Sequence, residues 1–297
     1  MAIIVTPYIP TYITVHLGSP NSWAENVTIA FPEYIKNVAS SEIYPTWNVS
    51  ALRANILAQV SFALNRIYTE FYPSRGYSFN ITSTTAHDQR FIKGRNIFDN
   101  ISALVDELFD DYIRRDGFVE PLSAKFCNGT TTTCDGLSQW GSEEMAQQGY
   151  NSVEILKNYY GDNIQIVTNA PLQEIQYSYP GVPLKRGDSG PEVRIAQIML
   201  NFISQAYPAI HRLWPTDGIF GPAMEASVRE FQEIFNLVSD GVVGKTTWYT
   251  MVRLYTGILQ LSELVSLGQT QFELNFNYEN AISYGQRGDQ VSLLQYL

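Results

Sequence analysis

Three carboxyl groups stand where acid–base chemistry is conceivable: Glu42, Asp88 and Asp135. Glu42 lies five residues before Trp47. A carboxyl held against an aromatic wall keeps its proton to higher pH, which suits a general acid. The competing role for Glu42 is structural, as a cap or as the partner of Arg53. Gln89, Gln139 and Trp140, with Asp135 nearby, offer the other half of a saccharide site. Amides pair with hydroxyls and an indole face stacks on a pyranose; Trp140 would serve equally well as a core anchor. Cys127 and Cys134, spaced C-x6-C across a Gly/Thr loop, could form a disulfide, stay free, or supply two metal ligands. No histidine is close to them in sequence, and a structural zinc usually takes four ligands. His16, His87 and His211 are scattered, and no nucleophile elbow, phosphate loop or H-E-x-x-H stretch occurs. No metal or cofactor is expected.

The totals restrict the partners. The 297 residues carry a formal net charge of −10, with 45% hydrophobic and 16% charged residues. Such a chain buries a core, and its length suits two domains. The negative balance argues against nucleic acid and against an anionic membrane surface. No apolar run is long enough to span a bilayer, and the N-terminus lacks the basic start and apolar stretch of a secretory signal. The 19 tyrosines and 15 phenylalanines must leave some rings exposed, and exposed rings suit sugar faces.

The elements that must position these residues read as follows. Ile13, Val15 and Leu17, then Val27, Ile29 and Phe31, alternate as strands. A long helix carries the stripe Leu52, Ile56, Val60, Leu64, Ile67 and Phe71, with Arg53, Asn55, Gln59 and Arg66 off it. Asn48 or Ser50 caps its start, and Pro73 and Gly76 end it. A second helix is expected from Asp99 to Arg115 with Gly117 as its stop, a third from Ser138 to Gln148, and a short one between the Asn151/Glu154 capping box and Gly161. Prolines and glycines from Thr168 to Pro183 mark a seam.

Beyond the seam the signals repeat. Gly187-x-x-Gly190-x-x-Val193 leads to Gln197 and Leu200. Asp217-Gly218-Ile219-Phe220-Gly221 and Asp240-Gly241-Val242-Val243-Gly244 follow, 23 residues apart. In each turn Asp bonds its own backbone, Gly takes a positive φ and a helix starts. Pro222 suits the first turn of one helix and Thr246 the cap of the next, with Trp248 beyond. In order and chemistry this stretch, including the Phe231-Gln232 pair, resembles the peptidoglycan-binding domains of amidases and spore-cortex hydrolases, with an insertion at 206–215. The resemblance implies that Asp217, Phe220, Asp240 and Trp248 mark a module that holds peptidoglycan. The signature recurs at Gly285-x-x-Gly288-x-x-Val291 with Gln295, as the start of a second, truncated copy.

The first half carries another resemblance. Val38 to Ile43, Pro45-Thr46-Trp47 and Ala51 to Gln59 are similar to the opening of the stage II sporulation protein D family. Gly136-Leu137-Ser138-Gln139-Trp140-Gly141, Met145-Ala146, Gly149, Glu154-Ile155-Leu156 and Tyr159-Tyr160 are similar to its close. That family cleaves peptidoglycan as lytic transglycosylases, or enhances the amidases that do. The resemblance implies one acid that protonates the glycosidic oxygen and then helps the 6-hydroxyl attack the anomeric carbon. The acid expected at the start of the long helix falls on Asn48 or Ser50, and a histidine-glycine stretch is replaced by Thr132, Thr133, Cys134 and Asp135.

The expected architecture is α+β. A mixed domain with long amphipathic helices spans 1–168, and a linker follows at 169–183. A helical peptidoglycan-binding module occupies 184–280, and the start of a second copy occupies 281–297. The expected function is binding to peptidoglycan glycan strands at a cell wall or spore. The alternatives are a lytic transglycosylase using Glu42 and a structural protein of a spore layer or secreted machine. An amidase or further copies of the chain are the other expected partners.

Overall fold

The computed structural model describes residues 6–269. The fold is α+β. In chain order it runs β1 (Ile9–Pro10), β2 (Tyr12–His16), β3 (Asn26–Ala30), α1 (Phe31–Glu42) and α2 (Val49–Tyr68), then a single 3-10 turn at Pro73–Arg75. It continues with β4 (Ile81–Thr82), α3 (Asp99–Leu108), β5 (Tyr112–Arg115), β6 (Phe126–Cys127), β7 (Leu137–Ser138), α4 (Gln139–Gln147), α5 (Ser152–Tyr160), β8 (Ile164–Val167) and β9 (Leu172–Gln173). The helices α6 (Pro191–Ala206), α7 (Pro222–Ile234) and α8 (Lys245–Ile258) complete it. The tail signature from Gly285 to Gln295 lies outside the described residues.

Helix α2 is the axle of the N-terminal body. It touches α1, α3, α4, α5 and β5, and so has no solvent side along most of its length. That corrects the reading of a one-striped helix. Asn55 and Gln59 are fully buried and Arg66 nearly so. Each was placed off the stripe because a stripe is legible only when one face stays wet. Asn48 caps the helix, its side chain accepting from the Ser50 amide at 2.9 Å.

Three further expectations change. Phe31 does not close a strand: it opens α1, whose Phe31, Tyr34, Ile35 and Val38 form a buried helical stripe. The helix expected to reach Arg115 stops at Leu108, and Tyr112–Arg115 pairs antiparallel with β8. Tyr112 fits the helical spacing, but a partner strand some fifty residues away decides the matter. Thr246 is not a cap: Gly244 holds that position and Thr246 sits inside the first turn of α8. The capping box of α5 is present as read, with both Asn151 and Glu154 engaged.

Small sheets frame the helices. β2 pairs antiparallel with β3 and parallel with β4, β1 pairs parallel with β9, and β6 pairs parallel with β7. Two apolar cores result. One gathers α1–α5 around α2, and the other gathers α6–α8 around Trp248, Phe231 and Tyr255. No helix among the described residues is long and apolar enough to cross a membrane.

Candidate functional site

In the C-terminal unit the two Asp-Gly turns are built alike. Asp217 Oδ1 accepts from the Ile219 amide at 2.9 Å, and Asp240 Oδ1 accepts from the Val242 amide at 2.9 Å. Those bonds, made first to backbone, hold both carboxyls below the usual aspartate range. Gly218 and Gly241 take φ of 75° and 73°, a conformation that favours glycine.

Each turn is then gripped from the preceding helix by a buried glutamine. Gln197 on α6 donates to Asp217 Oδ1 and to the Ile219 carbonyl, and accepts from the Gly218 amide at 2.8 Å. Gln232 on α7 donates to Asp240 Oδ1 and to the Val242 carbonyl, and accepts from the Gly241 amide at 2.9 Å. One clamp thus occurs twice. Backbone bridges Leu184↔Val243 and Ser189↔Ile219 tie the chain's entry to the two turns.

The four residues expected to mark this module divide into two kinds. Asp217 and Asp240 are exposed at the turns. Phe220 and Trp248 are buried, at 1% and 0% exposure, and hold the core. They therefore shape the module from within and meet no ligand in this conformation. Exposed apolar groups near the turns are Ile219, Val238 and, on the 206–215 segment, Trp214 at 76% exposure. Sequence reading passed over these three; an apolar side chain beside each Asp-Gly turn was the available signal.

The same unit resembles domains of known proteins. The chain matches the peptidoglycan binding domain family over residues 189–251. Over those residues the chain is therefore similar to a peptidoglycan-binding domain. A similar protein is the zinc D-Ala-D-Ala carboxypeptidase of Streptomyces albus G, 36% identical over 78 residues, which are 26% of this chain. The aligned stretch spans 29% of that enzyme's length.

In the N-terminal body a second constellation gathers at the C-terminal end of α1. Glu42 is half-buried there. Its Oε1 accepts from the Arg90 amide at 2.8 Å, and its Oε2 accepts from Gln139 Nε2 at 3.3 Å. Burial raises the Glu42 carboxyl above the usual glutamate range, although those two bonds and the Arg90 charge pull it down. The expected partner Arg53 is elsewhere, bonded to Glu107. Just beyond Glu42, three rings meet. Trp140 packs edge-on against Trp47 at 5.0 Å, and Tyr44 lies 5.7 Å from each. Tyr44 is 55% exposed, so the cluster presents a ring to solvent.

The Gly136–Gly141 stretch makes this possible. Gly136 adopts φ +154° against the Lys125 carbonyl, where a Cβ would sit 2.2 Å from that oxygen. Gly141 lies against the Tyr159 hydroxyl, with only 2.2 Å left for a Cβ. Between them Ser138 caps α4 and delivers Gln139 to Glu42.

Other candidates are placed differently. Gln89 is fully buried, accepting from the Tyr34 hydroxyl and donating to the Gln59 carbonyl. That corrects its assignment as a glycan contact: its amide is already spent inside the core. The Asp88 side chain is also enclosed, bonded to Arg66, Tyr72 and Thr82. It holds β4 in place and is out of reach of a substrate. Asp135 is exposed immediately after the loop closed by a Cys127–Cys134 disulfide. Among the described residues no group of three or more His, Cys, Asp or Glu could hold a metal ion.

Proposed function

We propose that this protein binds peptidoglycan at the bacterial cell wall, with the C-terminal module as its holding element and the N-terminal body applied to the glycan strand. The match at 189–251 carries this reading. The doubled turn and its glutamine clamps supply a rigid frame, and the exposed side chains at the turns are its working surface. Two units, 1–168 and 184–280, joined by a linker at 169–183 and followed by the start of a second copy at 281–297, are part of this proposal; two separate apolar cores support it, with Ala170 packed in the first core and Leu264 against it. Retention of the full chain on purified insoluble peptidoglycan tests it. Enrichment over a wall-free control is expected, and equal recovery in both would reject the reading.

A second reading has its own support, the half-buried Glu42 with its raised pKa beside a solvent-facing aromatic cluster. Such a carboxyl can protonate a glycosidic oxygen and afterwards take the proton of the attacking 6-hydroxyl. Gln139 orients it, and the rings supply a sugar platform. On this reading the body is a lytic transglycosylase, as its likeness to the stage II sporulation protein D family implies. Release of 1,6-anhydro sugars from glycan strands is the expected product, abolished by Glu42→Gln. Undiminished release by that variant would exclude Glu42 as the acid.

A further inference from the structure

A cleft of about 610 Å³ opens where the Pro73–Arg75 turn of the N-terminal body meets α8 of the module. Its chemistry runs against the composition of the whole. The chain has 29 acidic and 19 basic residues, yet the cleft is lined by Arg75, Lys245 and Arg253 and by no Asp or Glu. Tyr77, Tyr177 and Tyr249 supply rings, and Ser and Thr hydroxyls fill the remaining wall.

The three cations are not there to neutralise the protein's own acids. Arg75 donates to the Phe71 carbonyl at 2.5 Å and stacks 3.7 Å over the Phe71 ring. These contacts fix its guanidinium without cancelling its charge. Lys245 and Arg253 make no ion pair among the described residues. Burial first, then the charges of Arg66 and Arg253, push the Arg75 pKa down, so the like charges feel one another. Lys245 opens α8, whose N-cap Gly244 offers no side-chain acceptor, and the first-turn amides add to the positive field. Unpaired like charges gathered in a cleft cost stability, and a bound anion relieves that cost.

We propose that this cleft binds a multiply anionic saccharide, with Arg75, Lys245 and Arg253 on its charges and the tyrosine rings against its sugar faces. The volume suits a ligand of a few sugar units. The source of such a ligand rests on the wall-binding reading: carboxylates of a muramyl peptide, or phosphates of a wall polymer. Because both modules line the cleft, the ligand would be read by the two together.

The test is calorimetric titration of the full chain with three probes: a soluble muramyl peptide with free carboxylates, poly(glycerol phosphate), and an uncharged N-acetylglucosamine oligomer. At least one anionic probe should bind tenfold or more tighter than the uncharged one, with an affinity that falls as salt rises. Which probe binds identifies the source. Arg75→Gln with Arg253→Gln should weaken that binding at least tenfold, and Arg75→Lys with Arg253→Lys should retain most of it. Equal affinity for the double Gln variant, or no binding of either anion by the wild type, would overturn the proposal. Should that variant fail to fold, Lys245→Gln with Tyr177→Ala, both at exposed positions, should cost at least threefold, and no loss would again overturn it. The insoluble-wall experiment separates the two ideas. A wild type retained on peptidoglycan but unaffected by these substitutions rejects the cleft alone; a wild type not retained rejects the wall-binding reading.

Discussion

The half-buried Glu42 couples its own titration to folding. Its folded-state pKa lies above the unfolded value of 4.5 because burial penalises the carboxylate. The folded protein therefore binds the proton more tightly than the unfolded chain. The stability this contributes is fully present below the unfolded pKa and is lost as pH rises through the folded one. Glu42→Gln keeps an acceptor for the Arg90 amide and removes the titration. Its thermal midpoint should match the wild type near pH 4 and exceed it increasingly towards pH 7. Glu120 is raised by burial in the same direction, but it is common to both proteins and drops out of the difference. Parallel midpoint curves across that range would show that Glu42 ionises as freely in the fold as outside it. At the turns the sign is opposite. Asp217 and Asp240, held low by backbone donors, contribute stability above their unfolded pKa and lose it as pH falls through the folded one.

At the scale of elements, the glutamine clamps decide whether the module keeps its shape. Gln232 is 1% exposed and its amide meets Gly241, Val242, Asp240 and Thr247. Gln232→Ala strands a buried amide and a carbonyl at once, and should cost about 2–3 kcal/mol, read from urea unfolding. A loss below about 0.5 kcal/mol would mean that the turn holds itself through Asp240 alone. The clamps also show what was legible in the sequence. Each Asp-Gly turn could be read locally, because Asp bonds its own backbone and Gly takes the positive φ. That Gln197 and Gln232 bind those turns could not, since the pairs are joined only by the packing of α6 and α7. The same limit applies to α2, where Asn55 and Gln59 look like a wet face until α3, α4 and α5 enclose them. It applies to β5 as well, whose partner β8 is remote in sequence. In the N-terminal body, Glu42, Gln139 and Trp140 stand out in the sequence by residue type, whereas the bond from Gln139 to Glu42, 97 residues apart, is made only by the fold. Gln89 was equally plausible on chemistry, but Tyr34 and the Gln59 carbonyl claim its amide.

For the molecule as a whole, the question is whether the two cores act as one. Among the described residues, several polar bonds cross between them, most of them buried. Ser178 in the seam donates its hydroxyl to Glu70 of the N-terminal body and accepts from the Trp248 indole of the module at 2.8 Å. Asn65 on α2 donates to the Leu261 carbonyl at 2.7 Å, just past the end of α8. The chain then returns to the body, where Glu120 accepts from Ser266 and from the Gln269 amide, both at 2.9 Å. Buried polar groups gain little from pairing but lose heavily when a partner is removed, so opening this seam would strand several at once. The two cores should consequently unfold in one step, with far-ultraviolet circular dichroism and tryptophan fluorescence tracing the same thermal transition. Ser178→Ala leaves the Trp248 indole and one Glu70 oxygen without their partner, and should lower that shared midpoint by the equivalent of about 2–3 kcal/mol. Two separated transitions in the wild type would mean that the seam bonds are too weak to couple the cores. A holding module that moved freely would leave the placement of Glu42 on a bound strand to chance. On the proposed reading, a seam that unfolds only with the whole would fix the distance between the holding surface and Glu42, and binding by one half would then orient the other.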